Sequence, residues 1–179
     1  YWNKRANRMN YMVWLRRKLC FNKRTDWYRL NRQHFLDHHG GGLLATIYHH
    51  SPYEALRDYA PNATWLPWLM NKVPQGYWKN PKNRRAYMSW LGKQLKFKKI
   101  TDWYRLSKSD FNRFGGEGLL ANYYRNSPIH ALREFKPNVN WQEWRFAEAT
   151  QRFWPDPANR QRYMHWLGKL LKHRTPAAW

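Results

Sequence analysis

A single cysteine, Cys20, leaves this chain without an internal disulfide or a cysteine-based zinc finger. Acids are scarce: 11 Asp and Glu stand against 33 Lys and Arg, for a net charge of +22. The carboxylates are scattered, and no pair of them sits at a motif spacing suited to hydrolysis. No Ser-His-Asp or Cys-His set is suggested either, so the chain is expected to be non-catalytic, with no cofactor and no small-molecule substrate. No apolar run approaches the roughly 18 residues that span a bilayer, so no membrane partner is expected. Period-2 alternation is missing, which removes the usual sign of strands. The first residue is not Met. That fits a processed chain or a segment of a longer one, with no presequence to read.

Aromatics, by contrast, are abundant: 18% of residues, 13 of them Trp. Disordered basic tails are poor in aromatics, so this chain should fold. Its order is a tandem repeat. Laid over itself with a shift of 76 residues, the chain matches without a gap, with 34 of 76 positions identical. Tyr11-Met12-x-Trp14-Leu15 falls on Tyr87-Met88-x-Trp90-Leu91. Thr25-Asp26-Trp27-Tyr28-Arg29-Leu30 falls on Thr101-Asp102-Trp103-Tyr104-Arg105-Leu106. Gly40-x-Gly42-Leu43-Leu44 falls on Gly116-x-Gly118-Leu119-Leu120. Ser51-Pro52 falls on Ser127-Pro128, and Trp65 and Trp68 fall on Trp141 and Trp144. A third copy opens at Phe153-Trp154 and runs to Trp179, in register with Trp27 and Trp103. The expected domains are therefore repeat 1 at 1–76, repeat 2 at 77–152 and a partial repeat 3 at 153–179.

In the second repeat, Asn83 is the expected N-cap of a first helix over about 84–97. Tyr87, Met88, Leu91 and Leu95 form its apolar stripe. Thr101-Asp102-Trp103 is expected to be a capped turn that drops Trp103 into the core. Ser107 caps a second short helix, with Asp110 in its first turn and Phe111 and Phe114 facing inward. Gly115-Gly116-x-Gly118 ends it, and a third helix runs from Leu119 to about Arg125. Ser127-Pro128 starts a fourth, which Pro137 stops; the first repeat completes a capping box there with Glu54. Trp141-x-x-Trp144 folds back as an apolar clasp. The fold class is thus all-α: two tandem bundles of short helices, with residues 156–172 packing on module two as a capping helix.

Other chemistries are weaker. The glycine turn lacks G-x-x-x-x-G-K-[ST] and carries Glu117 between its kept glycines, so it is a helix-to-helix turn rather than a phosphate loop. His34, His38, His39, His49 and His50 cluster in repeat 1 only. His34 and His38 become Asp110 and Phe114 in repeat 2, so no metal is expected, and the cluster has no assigned role. Trp14, Trp27, Trp65 and Trp68 recur inside apolar patterns and are expected in the core. Tyr53, which is Ile129 in repeat 2, is a weak candidate for base contact. Arg8, Arg84 and Arg160 lie near the apolar side of the first helix and are expected to pair structurally. The basic residues carry the functional signal. The candidate nucleic-acid contacts are Arg17, Lys23, Arg29, Arg57, Arg85, Lys93, Lys96, Lys99, Arg105, Arg133, Lys169 and Lys172.

Taken in order, Asp-Trp-Tyr, Gly-x-Gly-Leu-Leu, Ser-Pro-x-x-Ala-Leu and Trp-x-x-Trp resemble a tandem repeat of plant, algal and large-DNA-virus proteins, some of them organelle-targeted or carrying nucleic-acid-related domains. The resemblance covers nearly the whole chain and implies no catalytic residues. The Ser-x-x-x-Phe turn followed by Gly and an Ala-Leu helix is also similar, by analogy, to helix-turn-helix repeats associated with homing endonucleases.

A net +22 destabilises a compact chain unless a polyanion neutralises it. The expected function is therefore nucleic-acid binding through phosphates along one continuous positive track. RNA is favoured, with rRNA and other ribonucleoprotein subunits as partners, in an organellar (mitochondrial or plastid) ribosome or related particle. The alternatives are a sequence-specific DNA-binding helix-turn-helix repeat and a scaffold for an acidic protein.

Overall fold

The computed structural model describes residues 1–146 and 153–172. Trp179 lies outside the described residues. Among them no strand is present, and the architecture is all-helical. The chain divides into two compact units, Tyr1–Tyr87 with Phe114–Gly116 and Met88–Arg113 with Glu117–Trp179.

Three long helices punctuate the chain: α1 (Arg5–Lys18), α5 (Pro81–Gln94) and α9 (Pro157–Leu170), each of 14 residues. Their starts at 5, 81 and 157 lie 76 residues apart. Between α1 and α5 come α2 (Arg32–Asp37), α3 (Gly41–Thr46) and α4 (Pro52–Tyr59). Between α5 and α9 come α6 (Lys108–Arg113), α7 (Glu117–Tyr124) and α8 (Pro128–Phe135). A 3-10 turn follows each of the first two long helices, at Arg24–Arg29 and Ile100–Arg105.

Each long helix is started by the same latch. Asn7, Asn83 and Asn159 donate from Nδ2 to the carbonyls of Tyr1, Tyr77 and Phe153, all at 2.8 Å. One residue on, Arg8, Arg84 and Arg160 donate from Nη1 to the carbonyls of Trp2, Trp78 and Trp154. Asn83 is therefore a latch residue and not the cap of α5. Asn80 takes that role, its Oδ1 accepting the Lys82 N–H at 2.9 Å, and Pro81 occupies the first helical position. This is why α5 begins three residues earlier than its apolar stripe indicates. It also ends earlier, at Gln94, because Lys96 turns left-handed (φ 57°) and the Phe97 N–H bonds back to the Gly92 carbonyl at 2.9 Å. Cys20 (φ 53°) and Lys172 (φ 58°) occupy the same place after α1 and α9.

In the first unit, the inward face of α1 supplies Met12 and Leu15, both fully buried, to a core with Phe35, Leu43, Leu44 and Leu56. Trp27, Trp65 and Trp68 are buried as expected. Trp14 is not: it remains 38% exposed, with the Lys18 ammonium 5.9 Å from its ring centre. Helical periodicity places Trp14 beside the apolar stripe, where its indole packs on Tyr11 and His38 at the edge of the core. Asp58 ties α4 to α1, accepting from Arg8 Nε at 2.8 Å, Tyr48 Oη at 2.8 Å and Arg5 Nε at 3.3 Å. Burial alone would raise the Asp58 pKa. The hydrogen bonds from Arg8 and Tyr48 outweigh it and hold the carboxyl below its ordinary value.

The tail after α4 is an aromatic clasp. Trp68 meets Tyr87 of α5 edge-on at 5.5 Å and stacks on Trp78 at 6.4 Å. Its backbone runs against Gly115, where a Cβ would overlap the Trp68 carbonyl oxygen. Within the second unit, Trp144 meets Tyr163 of α9 edge-on at 5.7 Å and lies 5.9 Å from Phe153. Residues 156–172 thus pack through the same ring pair that docks Trp68 on α5.

The Asp58 hub gives a pH signature. A depressed carboxyl contributes stability above its unfolded pKa of about 3.9, and that contribution is lost as pH falls through the lower folded-state value. Asp58→Asn is expected to cost about 2 kcal/mol at neutral pH, as for hydrogen bonds to charged groups, and to flatten the acid limb. Thermal midpoints of both proteins between pH ~7 and ~2.5 check this; parallel acid limbs would refute it.

Candidate nucleic-acid interface

The structure sorts the twelve candidate cations by whether the fold already uses them. Four have carboxylate partners. Arg29 lies 3.6 Å from Asp26 and over the Phe21 ring, and Arg105 lies 3.9 Å from Asp102 and over Phe97. Arg57 pairs with Glu54 at 3.2 Å, and Arg133 pairs with Glu143. Their retention in both repeats thus has a folding explanation. Asp26 and Asp102 accept backbone N–H bonds: Asp26 from Lys23 and Asn22, and Asp102 from Lys99 and Lys98. Those bonds, chiefly the one from Lys23 or Lys99, pull each carboxyl below its usual range. The arginines then close over the turns that the carboxylates have capped. Arg29 and Arg105 nonetheless remain 66% and 70% exposed, and such surface pairs contribute at most about 1 kcal/mol.

The other eight make no ion pair with a described carboxylate. Arg17 is in the last turn of α1, Arg85 and Lys93 are on α5, and Lys169 is in the last turn of α9. Lys96 and Lys172 are the left-handed residues that follow α5 and α9. Lys23 and Lys99 precede the 3-10 turns. All eight are exposed.

A signal in the chain explains this division. Residues 1–25 carry eight Lys and Arg, 59–101 carry nine and 157–179 carry five, and none of these stretches contains an acid. The remaining segments, 26–58 and 102–156, hold eleven cations against eleven acids. Along the sequence, the whole excess charge therefore falls in the three stretches that contain the long helices. Counting total charge hides this segregation; counting acids along the chain reveals it. Cations in a helix's last turn complement its dipole, which accounts for Arg16, Arg17 and Lys18 on α1. That effect fades within one turn and does not reach Lys98 and Lys99.

The histidines do not converge. His34 is half-buried beside Phe21 at 6.1 Å, and burial, then the neighbouring His38, lowers its pKa. Among the described residues no group of three or more His, Cys, Asp or Glu is placed to hold a metal ion. No described helix is long and apolar enough to cross a membrane. Compared with known proteins, the chain matches no family model, no curated protein and no solved structure.

If the lysines after α5 have no folding task, neutralising them relieves repulsion. Replacing Lys93, Lys96, Lys98 and Lys99 together by Gln is expected to raise the thermal midpoint at low ionic strength, with a gain that shrinks as salt is added. Arg105→Ala is expected to lower stability by less than about 1 kcal/mol. A lowered midpoint in the lysine variant would show these side chains to be structural.

Proposed function

We propose that this protein binds nucleic acid, RNA in preference to DNA, through the phosphates, as a non-catalytic component or accessory of a ribonucleoprotein. The observation that supports the reading is the segregation of charge: 22 cations in acid-free stretches against a balanced remainder. A solvated surface mixes signs. A surface that meets phosphate gains by keeping acids away, because each like charge near the polyanion repels it.

The fold would serve this by burying one side of α1 and of α5 and leaving most of their cations outside. Met12 and Leu15 of α1, and Met88 and Leu91 of α5, are at most 1% exposed. These contacts, with the Arg8 and Arg84 latches, hold the two helices and leave Arg17, Arg85 and Lys93 uncommitted. Permanent neutralisation by RNA would remove the repulsion that +22 imposes. An organellar ribosome or related particle is a setting that suits so basic and aromatic a chain.

Binding is tested by anisotropy with labelled single-stranded RNA, duplex RNA and duplex DNA at several salt concentrations. Affinity for RNA is expected to fall with salt, by roughly 0.7–0.9 log units per log of salt for each phosphate contacted. The Lys93, Lys96, Lys98 and Lys99 variant should show a smaller slope by about 2–4 contacts. No RNA binding near 20 mM salt, or affinity unaffected by salt, would overturn the proposal. A strong preference for one duplex DNA sequence would instead support the helix-turn-helix alternative.

A further inference from the structure

The first unit holds a groove bounded by the start of α2, the turn before α4 and residues 71–75. Arg32, Lys72, His49, His50 and Tyr53 are in its lining, and no acid is. The neighbouring groove along α4 is different, since Glu54 and Asp58 line it and would repel an anion. Asn31 and Asn71 add amides, and Pro52 and Val73 add apolar floor. The groove therefore combines cations, hydrogen-bonding amides and one aromatic ring.

Comparison within the chain separates what the turn needs from what the groove offers. His49 and His50 are both left-handed (φ 47° and 62°), as are Arg125 and Asn126 at the same places in the second repeat (φ 51° and 58°). The backbone turn recurs, while the side chains on it do not. Ser51 and Pro52, which start the helix, are kept as Ser127 and Pro128. Tyr53 and Lys72 are not: they become Ile129 and Glu148. Ile129 is buried in its own core, whereas Tyr53 packs on the core yet stays half-buried at the groove, so the ring that the groove offers belongs to the first repeat alone.

We propose that this groove takes one unpaired nucleotide of a bound RNA strand. Arg32 and Lys72 meet its phosphates, with His49 and His50 adding ring N–H donors. Tyr53 gives the base a ring to stack on, and the Asn71 amide and the Nδ2 of Asn31, whose Oδ1 caps α2, meet the base edge. A duplex buries both the base face and the base edge, so the groove discriminates single strands from duplexes. The proposal rests on the RNA-binding reading and adds to it a place where a base, and not only phosphate, is held.

The test uses the full chain with a labelled single-stranded RNA of roughly 12 nucleotides, within the usual span of such sites, and a blunt RNA duplex of the same composition. Tyr53→Ile installs the residue that the second repeat tolerates; unchanged circular dichroism confirms its fold. It is expected to weaken single-strand binding about tenfold, the effect of losing one stacked base, and duplex binding less than twofold. Tyr53→Phe keeps the ring and should retain wild-type affinity. Replacing Lys96 and Lys98 by Ala should weaken both RNAs alike. Equal effects of Tyr53→Ile on both RNAs, or none on either, would overturn the groove proposal while leaving RNA binding intact. A wild-type chain that binds neither RNA would overturn both.

Discussion

Carboxylates are the limiting resource of this protein, and the fold uses them for its own geometry. Asp26 and Asp102 cap the turns after the long helices, and Asp110 closes a reciprocal cap with Ser107. Asp156 receives the Ala158 N–H at the start of α9. Asp58 gathers two arginines and a tyrosine. In a chain with 11 acids against 33 cations, the acids so engaged leave little negative charge to balance the long helices. The charge asymmetry and the architecture are thus one constraint seen twice. Acids sit where backbone N–H groups or the arginines of α1 need them, and the acid-free helices leave most of their cations exposed.

Aromatic packing supplies the cohesion that this arrangement lacks electrostatically. Buried rings remove about 150–250 Å² each from water and add edge-on contacts. The Trp68–Tyr87 and Trp144–Tyr163 pairs place that cohesion at the cationic helices α5 and α9 themselves. Rings are suited to this position. They bind a helix on one side without asking for countercharge on the other.

Much of the fold was legible because its signals are local. The Ser107–Asp110 cap, the helix after Ser51-Pro52 and the buried Trp27 and Trp103 follow from residue type and spacing, and each is present. What escaped depends on atoms far apart in sequence. Asn83 has the chemistry of a cap, but its amide is taken by the Tyr77 carbonyl, six residues back. Trp14 keeps a helical spacing yet stays at the edge of the core, because periodicity fixes a direction and not a depth. Arg29 and Arg105 looked free because a retained charge carries no mark of its partner. The first-repeat groove assembles three separated segments, and only the contrast of Tyr53 with Ile129 hinted at it.

The residue that closes each long helix has a further consequence. Cys20, Lys96 and Lys172 are left-handed, a conformation that costs a side-chain-bearing residue roughly 1–2 kcal/mol relative to its usual state. Glycine would sit there at little cost. Thermostability on its own would favour glycine at all three positions. The chain thus contains a ready route to a sturdier variant, and at two of the three positions that route would remove an exposed lysine.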